Sequence, residues 1–133
     1  MLNRPLFREF FVLLVVIGVL NYFANDLNWY WSFRSFDSFM HFLGGALSAL
    51  FFLWLYFYTS VFSSEQRNLV QFLLISILGA GLIAVAWEIY ELLLGEVQFN
   101  GLEYSFDTTL DFVMDFLGAL AACFYAYLKE IKN

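Results

Sequence analysis

Seven side chains that can ligate a metal ion or move a proton lie at helical spacing in three hydrophobic segments of this 133-residue chain. They are six carboxylates and the only histidine of the sequence: Asp37, His41, Glu88, Glu91, Asp107, Asp111 and Asp115. Residues three or four positions apart share one face of a helix, and this spacing recurs in all three segments. Helical bundles present metal ligands inward in this way. The pattern predicts a metal site formed by these residues, and the candidate catalytic bases, if the protein is an enzyme, are Glu88 and His41.

Small residues continue each of the three polar faces along its helix. They are Gly44 or Gly45 and Ser48 in the first segment, Gly81 and Ala84 in the second, and Gly118, Ala119 and Ala122 in the third. Small residues allow helices to approach closely in a membrane, so we expect the three faces to meet. The polar groups then converge on one pocket.

The predicted pocket has a large excess of negative charge, because no Lys or Arg lies in the three segments. Protonation, a water-filled vestibule or a bound cation could compensate for that charge. A charged group inside a membrane span costs about 2.5–3.5 kcal/mol and is usually retained for function. Many oxygen ligands and one imidazole favour Mg²⁺, Mn²⁺ or Ca²⁺ as the divalent cofactor, whereas Zn²⁺ or Fe²⁺ would normally have more nitrogen ligands.

The composition is that of a membrane protein. Hydrophobic residues make up 62% of the chain, charged residues only 14%, and the mean hydropathy is +0.74. A soluble domain of this length has too little interior to bury 18 Phe, 8 Tyr and 4 Trp. One Pro and one Cys exclude collagen-like and disulfide-stapled classes. The single thiol, Cys123, is interpreted as a packed core residue.

Four apolar runs define the predicted fold. They lie at about residues 6–24, 36–62, 69–94 and 106–128. The last three exceed the roughly 20 residues that cross a bilayer as helix. We therefore predict an all-α, polytopic integral membrane protein: a four-transmembrane-helix antiparallel bundle that forms a single transmembrane domain over residues 1–133. The first run is expected to be a retained helix, because residues 21–26 lack the small-residue pattern of a signal-peptide cleavage site.

The charges predict an orientation. Five of the six basic residues lie on the side of the two termini, which predicts that both termini are cytoplasmic in the cell (plasma) membrane. The opposite, outer side then holds nine of the twelve acids and a formal charge of about −8. The predicted pocket therefore lies near the outer leaflet. The expected partners are the lipid bilayer and a second copy of the chain through the first helix, and no nucleic acid.

The order of the motifs resembles that of a known group. Asp37-x-x-x-His41-Phe-x-x-Gly45, Trp87-Glu88-x-x-Glu91 and Asp107-Thr-x-x-Asp111-x-x-x-Asp115-x-x-Gly118-Ala119 resemble the YjdF-like and VanZ-like small membrane proteins over residues 36–122. The chain has Glu91 and Asp115 where the VanZ-like group tends to have amides, so it is more similar to the YjdF-like side. The resemblance implies a small integral membrane protein. The YjdF-like proteins carry no established activity, and the VanZ-like ones are linked to glycopeptide resistance.

Three functions remain open from the sequence. The first is a cation-binding bundle, the second a metal-dependent membrane enzyme acting on a lipid or lipid-linked head group. The third is a helper protein whose acidic pocket receives a cationic ligand or partner helix. Paired aspartates also occur in CDP-alcohol phosphotransferases and aromatic prenyltransferases, but the companion motifs of those families are missing here. No phosphate-binding glycine loop or nucleophile elbow is present either.

Overall fold

The computed structural model describes residues 6–33, 35–59, 67–94 and 101–131, and helices account for nearly all of them. These helices are α1 (Phe7–Asp26), α2 (Trp29–Ser32), α3 (Phe36–Tyr58), α4 (Leu69–Leu94) and α5 (Gly101–Ile131). Within these ranges there is no β-strand. All but α2 are long and apolar enough to cross a membrane. The predicted all-α, four-helix membrane fold is confirmed.

Helix α3 is the centre of the bundle and packs against α1, α4 and α5. Its inner face carries Leu53, which is fully buried, and Phe57, whose ring stacks on that of Phe72 in α4 at a centroid distance of 4.5 Å. Small residues of α5, such as the fully buried Ala119, complete this core. Aromatic rings on α3 and α4 therefore fill the space that the small side chains of α5 leave open.

Helix α1 lies at the edge of the bundle. Among its residues only Ala24 is buried. It contacts α3 through ring pairs at the end near the termini, where Phe7 and Trp54 lie 5.2 Å apart between centroids. Its many exposed Val and Leu side chains suit contact with lipid, which is as apolar as they are. A tight turn at Asn28, with φ of 56°, separates α1 from the short α2.

The helix bounds differ from the sequence prediction at several ends. Helix α1 extends to Asp26 rather than residue 24, and α5 covers 31 residues, more than the predicted 106–128. Helix α3 ends at Tyr58, and Thr59 caps it by donating its hydroxyl to the Leu55 carbonyl. The rest of the predicted second span, residues 60–62, lies outside the described residues. Helix α2 was not predicted, because four residues are too few to show a helical period.

An ion-pair cluster holds together the helix ends on the side of the termini. Arg67, just before α4, donates to the Glu130 carboxylate of α5 and to the carbonyl of Phe57 in α3. Tyr58 also donates to Glu130. The hydrogen bond to Glu130 raises the pKa of the Arg67 guanidinium. On the same side, Lys129 of α5 binds Glu9 of α1. The described start of α1 and end of α5 therefore lie at one end of an antiparallel bundle.

Candidate metal centre

Two glycines allow α3 and α5 to touch at backbone level. A Cβ atom on Gly45 would lie 1.9 Å from the carbonyl oxygen of Asp115, and one on Gly118 would lie 1.9 Å from the carbonyl oxygen of Phe42. Any side chain at either position would overlap the opposite backbone, so only glycine permits this crossing. The crossing sets the distance between His41, one turn before Gly45, and the acids of α5.

His41 lies between two buried aspartates of α5. Its Nδ1 is 3.2 Å from Oδ2 of Asp115, within hydrogen-bond distance. Its Nε2 is 3.8 Å from Oδ1 of Asp111, which is too long for a hydrogen bond. When Nδ1 carries the proton and donates it to Asp115, the lone pair of Nε2 is free on the side of Asp111. A histidine oriented by a carboxylate in this way has the usual geometry of a metal ligand.

Three residues can offer ligand atoms to one ion. One atom each from Asp37, His41 and Asp111 lie within 4.8 Å of one another. His41 and Asp111 are buried, with exposed fractions of 8% and 4%, and Asp37 is partly buried. Oδ1 of Asp111 is buried and has no hydrogen-bond partner among the described residues. A buried acceptor without a donor costs about 1–3 kcal/mol, and more when it is charged.

The distances fit ligation by one ion better than direct hydrogen bonding. Two ligands of the same ion are separated by at most twice the metal–ligand bond length, which is about 4.2 Å for bonds of 2.1 Å. The 3.8 Å between His41 and Asp111 is below that limit. One ion could therefore bind both atoms.

The other predicted ligands have different surroundings. Asp115 bonds to His41 and so orients it rather than joining the three-residue set. Glu88 is buried and accepts a hydrogen bond from the Thr108 hydroxyl at 3.0 Å. Glu91 accepts one from the Trp87 indole at 2.8 Å, and Asp107 is exposed. The structure therefore brings Asp37, His41 and Asp111 together, with Asp115 behind the histidine, and leaves Asp107 outside.

Three further polar residues lie in this region and were not predicted as site residues. Trp87 lies four residues before Glu91, so helical spacing could have suggested this pair. Thr108 of α5 donates to Glu88 of α4, a contact between helices that spacing within one helix does not predict. No sequence pattern indicated that Tyr30 of α2 lies near the pocket. Its hydroxyl donates to Oδ1 of Asn21 at 2.8 Å. Burial, followed by the charges of Asp37 and Glu91, raises the pKa of Tyr30, so this phenol stays protonated beside the acidic pocket.

Comparison with known proteins supports the membrane assignment. Residues 5–130 match a protein family described as "Predicted membrane protein (DUF2238)". Searches of the curated proteins and of the solved structures gave no match to the chain. The family description names no activity, and it does not carry the YjdF-like or VanZ-like names, so that finer resemblance stays a prediction.

Proposed function

We propose that this chain, which belongs to the DUF2238 family of membrane proteins, binds a divalent cation inside the membrane at Asp37, His41 and Asp111. Asp115 orients the imidazole and is not itself a ligand. The five-to-one distribution of basic residues supports an orientation with both termini cytoplasmic and the site near the outer leaflet of the plasma membrane.

One observation carries the proposal: the buried oxygen Oδ1 of Asp111 has no donor among the described residues. Burial removes this oxygen from water, and the nearest nitrogen, Nε2 of His41, is too far away to donate to it. A cation between the two atoms provides the missing interaction for both. It also explains why the imidazole turns its other nitrogen toward Asp115.

The balance of charge supports the same conclusion. Three carboxylates surround one imidazole in this cluster, at Asp37, Asp111 and Asp115. The Lys and Arg side chains that form ion pairs in the described part of the chain lie at the other end of the bundle. With its three carboxylates ionised, the cluster keeps a net negative charge even when the histidine is protonated. A divalent ion compensates for this charge in a place where water cannot do so fully.

The ligands limit the choice of ion. Two carboxylates and one imidazole form a mixed set, which Mn²⁺ accepts more readily than Mg²⁺ does, because Mg²⁺ keeps oxygen ligands and water. The carboxylate oxygens are ligands that Ca²⁺ also accepts. Zn²⁺ or Fe²⁺ remains an alternative through the imidazole nitrogen. Open coordination positions would be filled by water or by Glu88, which lies in the next helix and has one carboxylate oxygen bonded to Thr108.

Thermal unfolding in detergent, with metal analysis of the purified protein, tests the proposal. After treatment with chelator, addition of the preferred ion at 100 times its Kd should stabilise the fold by about 2.7 kcal/mol. For a chain of this size, the Tm should rise by about 5–10 °C. Elemental analysis before chelation identifies the ion. Mn²⁺, Ca²⁺, Mg²⁺, Zn²⁺ and Fe²⁺ are compared at equal concentration.

The matched variants are Asp111→Asn and Asp107→Asn, which remove equal charge from the same helix. Only the first should abolish the rise in Tm, because Asp107 is exposed and outside the ligand set. An equal rise in both variants would contradict the proposal, as would the lack of any metal effect on the wild type. A rise in Tm with an organic amine but with none of the metals would favour the helper-protein alternative instead.

A further inference from the structure

A cavity lies at the end of the bundle opposite the candidate metal centre, between α1 and α5. It has a volume of about 350 Å³ and is lined by Arg8, Glu9, Val12, Leu13, Val16 and Tyr125. We call it the α1–α5 groove. It is polar where the two helices meet near the termini and apolar farther along α1. Because both helices are candidate membrane spans, the groove opens on the side where lipid is the solvent.

The polar end of the groove carries a net positive charge. Oε1 of Glu9 accepts from Lys129 at 2.5 Å, from Arg8 at 3.3 Å and from Tyr125 at 3.5 Å. One carboxylate thus faces two cations. The guanidinium of Arg8 is 72% exposed and has most of its donors available. This end of the groove therefore attracts an anion.

The exposed guanidinium of Arg8 can donate charge-assisted hydrogen bonds to a phosphate group. A simple anion such as free phosphate would satisfy the guanidinium but would leave the apolar wall uncovered.

The apolar wall follows from the helix geometry. Val12 and Val16 are one and two turns beyond Arg8, about 6 and 12 Å deeper along α1. Val12 is 55% exposed, and the bundle leaves it uncovered. The groove is charged at the helix ends, and its apolar wall extends toward the membrane interior. This arrangement matches a phospholipid, with its head group at the interface and its acyl chain inside the membrane.

We infer that the α1–α5 groove binds an anionic phospholipid. The phosphate lies on the Arg8 guanidinium, and one acyl chain runs along Val12 and Val16. This site is separate from the proposed metal centre and depends neither on its ion nor on the direction of insertion.

Native mass spectrometry of the detergent-purified full chain tests the inference, with phosphatidylglycerol and phosphatidylethanolamine of equal chain length as probes. The wild type should bind phosphatidylglycerol more tightly. Arg8→Gln should weaken phosphatidylglycerol binding about fivefold, which corresponds to the loss of one basic contact near the membrane surface. The same change should leave binding of the zwitterionic lipid nearly unchanged.

A second pair of variants tests the apolar wall. Val12→Trp fills the groove and should reduce phosphatidylglycerol binding, whereas Leu14→Trp adds the same ring about 200° round the helix and should have no effect. Far-UV circular dichroism confirms that each variant is folded. If both Arg8→Gln and Val12→Trp bind phosphatidylglycerol like the wild type, or if the two lipids bind equally well to the wild type, the inference is wrong.

Discussion

Replacing Gly45 with alanine should push α3 away from α5 and disrupt the histidine site without touching a charged group. The new methyl carbon would lie 1.9 Å from the carbonyl oxygen of Asp115. Ordinary van der Waals contact begins at 3.4 Å, so the two backbones must separate by about 1.5 Å. This shift stretches the 3.2 Å bond between His41 and Asp115 beyond hydrogen-bond distance.

The energetic effect of this substitution has three parts. Overpacking costs about 1–3 kcal/mol, and losing a hydrogen bond to a charged group costs about 1.5–3 kcal/mol. The higher helix propensity of alanine offsets up to about 1 kcal/mol of this destabilisation. The free energy of unfolding should therefore fall by about 1.5–6 kcal/mol, which lowers the Tm by about 3–24 °C at about 2–4 °C per kcal/mol.

The assay is thermal unfolding in detergent followed by circular dichroism, and Gly18→Ala is the matched control. Gly18 lies in the middle of α1, where an added Cβ meets nothing within 4 Å. The control should therefore keep or slightly raise the Tm. Below the transition, Gly45→Ala should also bind the preferred cation about 10–100-fold more weakly, as is typical when a group that orients a metal ligand is displaced.

If Gly45→Ala melts within 2 °C of Gly18→Ala, a difference of about 0.5–1 kcal/mol at most, then the helices do not cross as closely as described. If Gly45→Ala loses stability but keeps full cation affinity, the crossing is close but does not set the geometry of His41.

Three further predictions concern the rest of the bundle. Arg67→Gln removes a partly exposed ion pair with Glu130 and two cation–π contacts, in which Cζ of Arg67 lies 5.0 and 5.8 Å from the ring centroids, so the Tm should fall by about 2–6 °C. Adding Glu130→Gln to this variant should lower the Tm little further. If the two effects are fully additive, the two side chains act independently. Mass photometry in nanodiscs should detect dimers that contact through α1, since most of that helix is exposed, and monomers at every concentration would argue against it. Reporter proteins fused to either end of the chain should give a cytoplasmic signal, and an external signal from either fusion would contradict the predicted orientation.

Helical periodicity was enough to predict which helix faces meet. Asp37 and His41 were expected on one side of their helix, and small residues at 45 and 118 were expected at a contact. Both expectations rest on local rules, the 3.6-residue period and the need for small side chains where helices cross. The four-helix membrane fold followed from the length and apolarity of the runs and is confirmed.

Helical periodicity could not determine which of the seven predicted ligands share one site. Each step of four residues turns a helix by about 400°, so Asp107 lies about 80° round the helix from Asp115 and leaves the contact face. Spacing within one helix also does not reveal that Thr108 of α5 binds Glu88 of α4, because the two residues lie on different helices. The role of Tyr30 depends on how the chain turns after α1, which the apolar pattern does not encode.

Anomalous scattering can locate a cation bound at His41 and identify its element. Crystals of the protein grown with Mn²⁺, or with the ion found by elemental analysis, are measured at the absorption edge of that metal. One anomalous peak is expected about 2.0–2.6 Å from Nε2 of His41 and from oxygens of Asp37 and Asp111. A well-ordered pocket without a peak, or a peak bound by other residues, would contradict the proposed cation site.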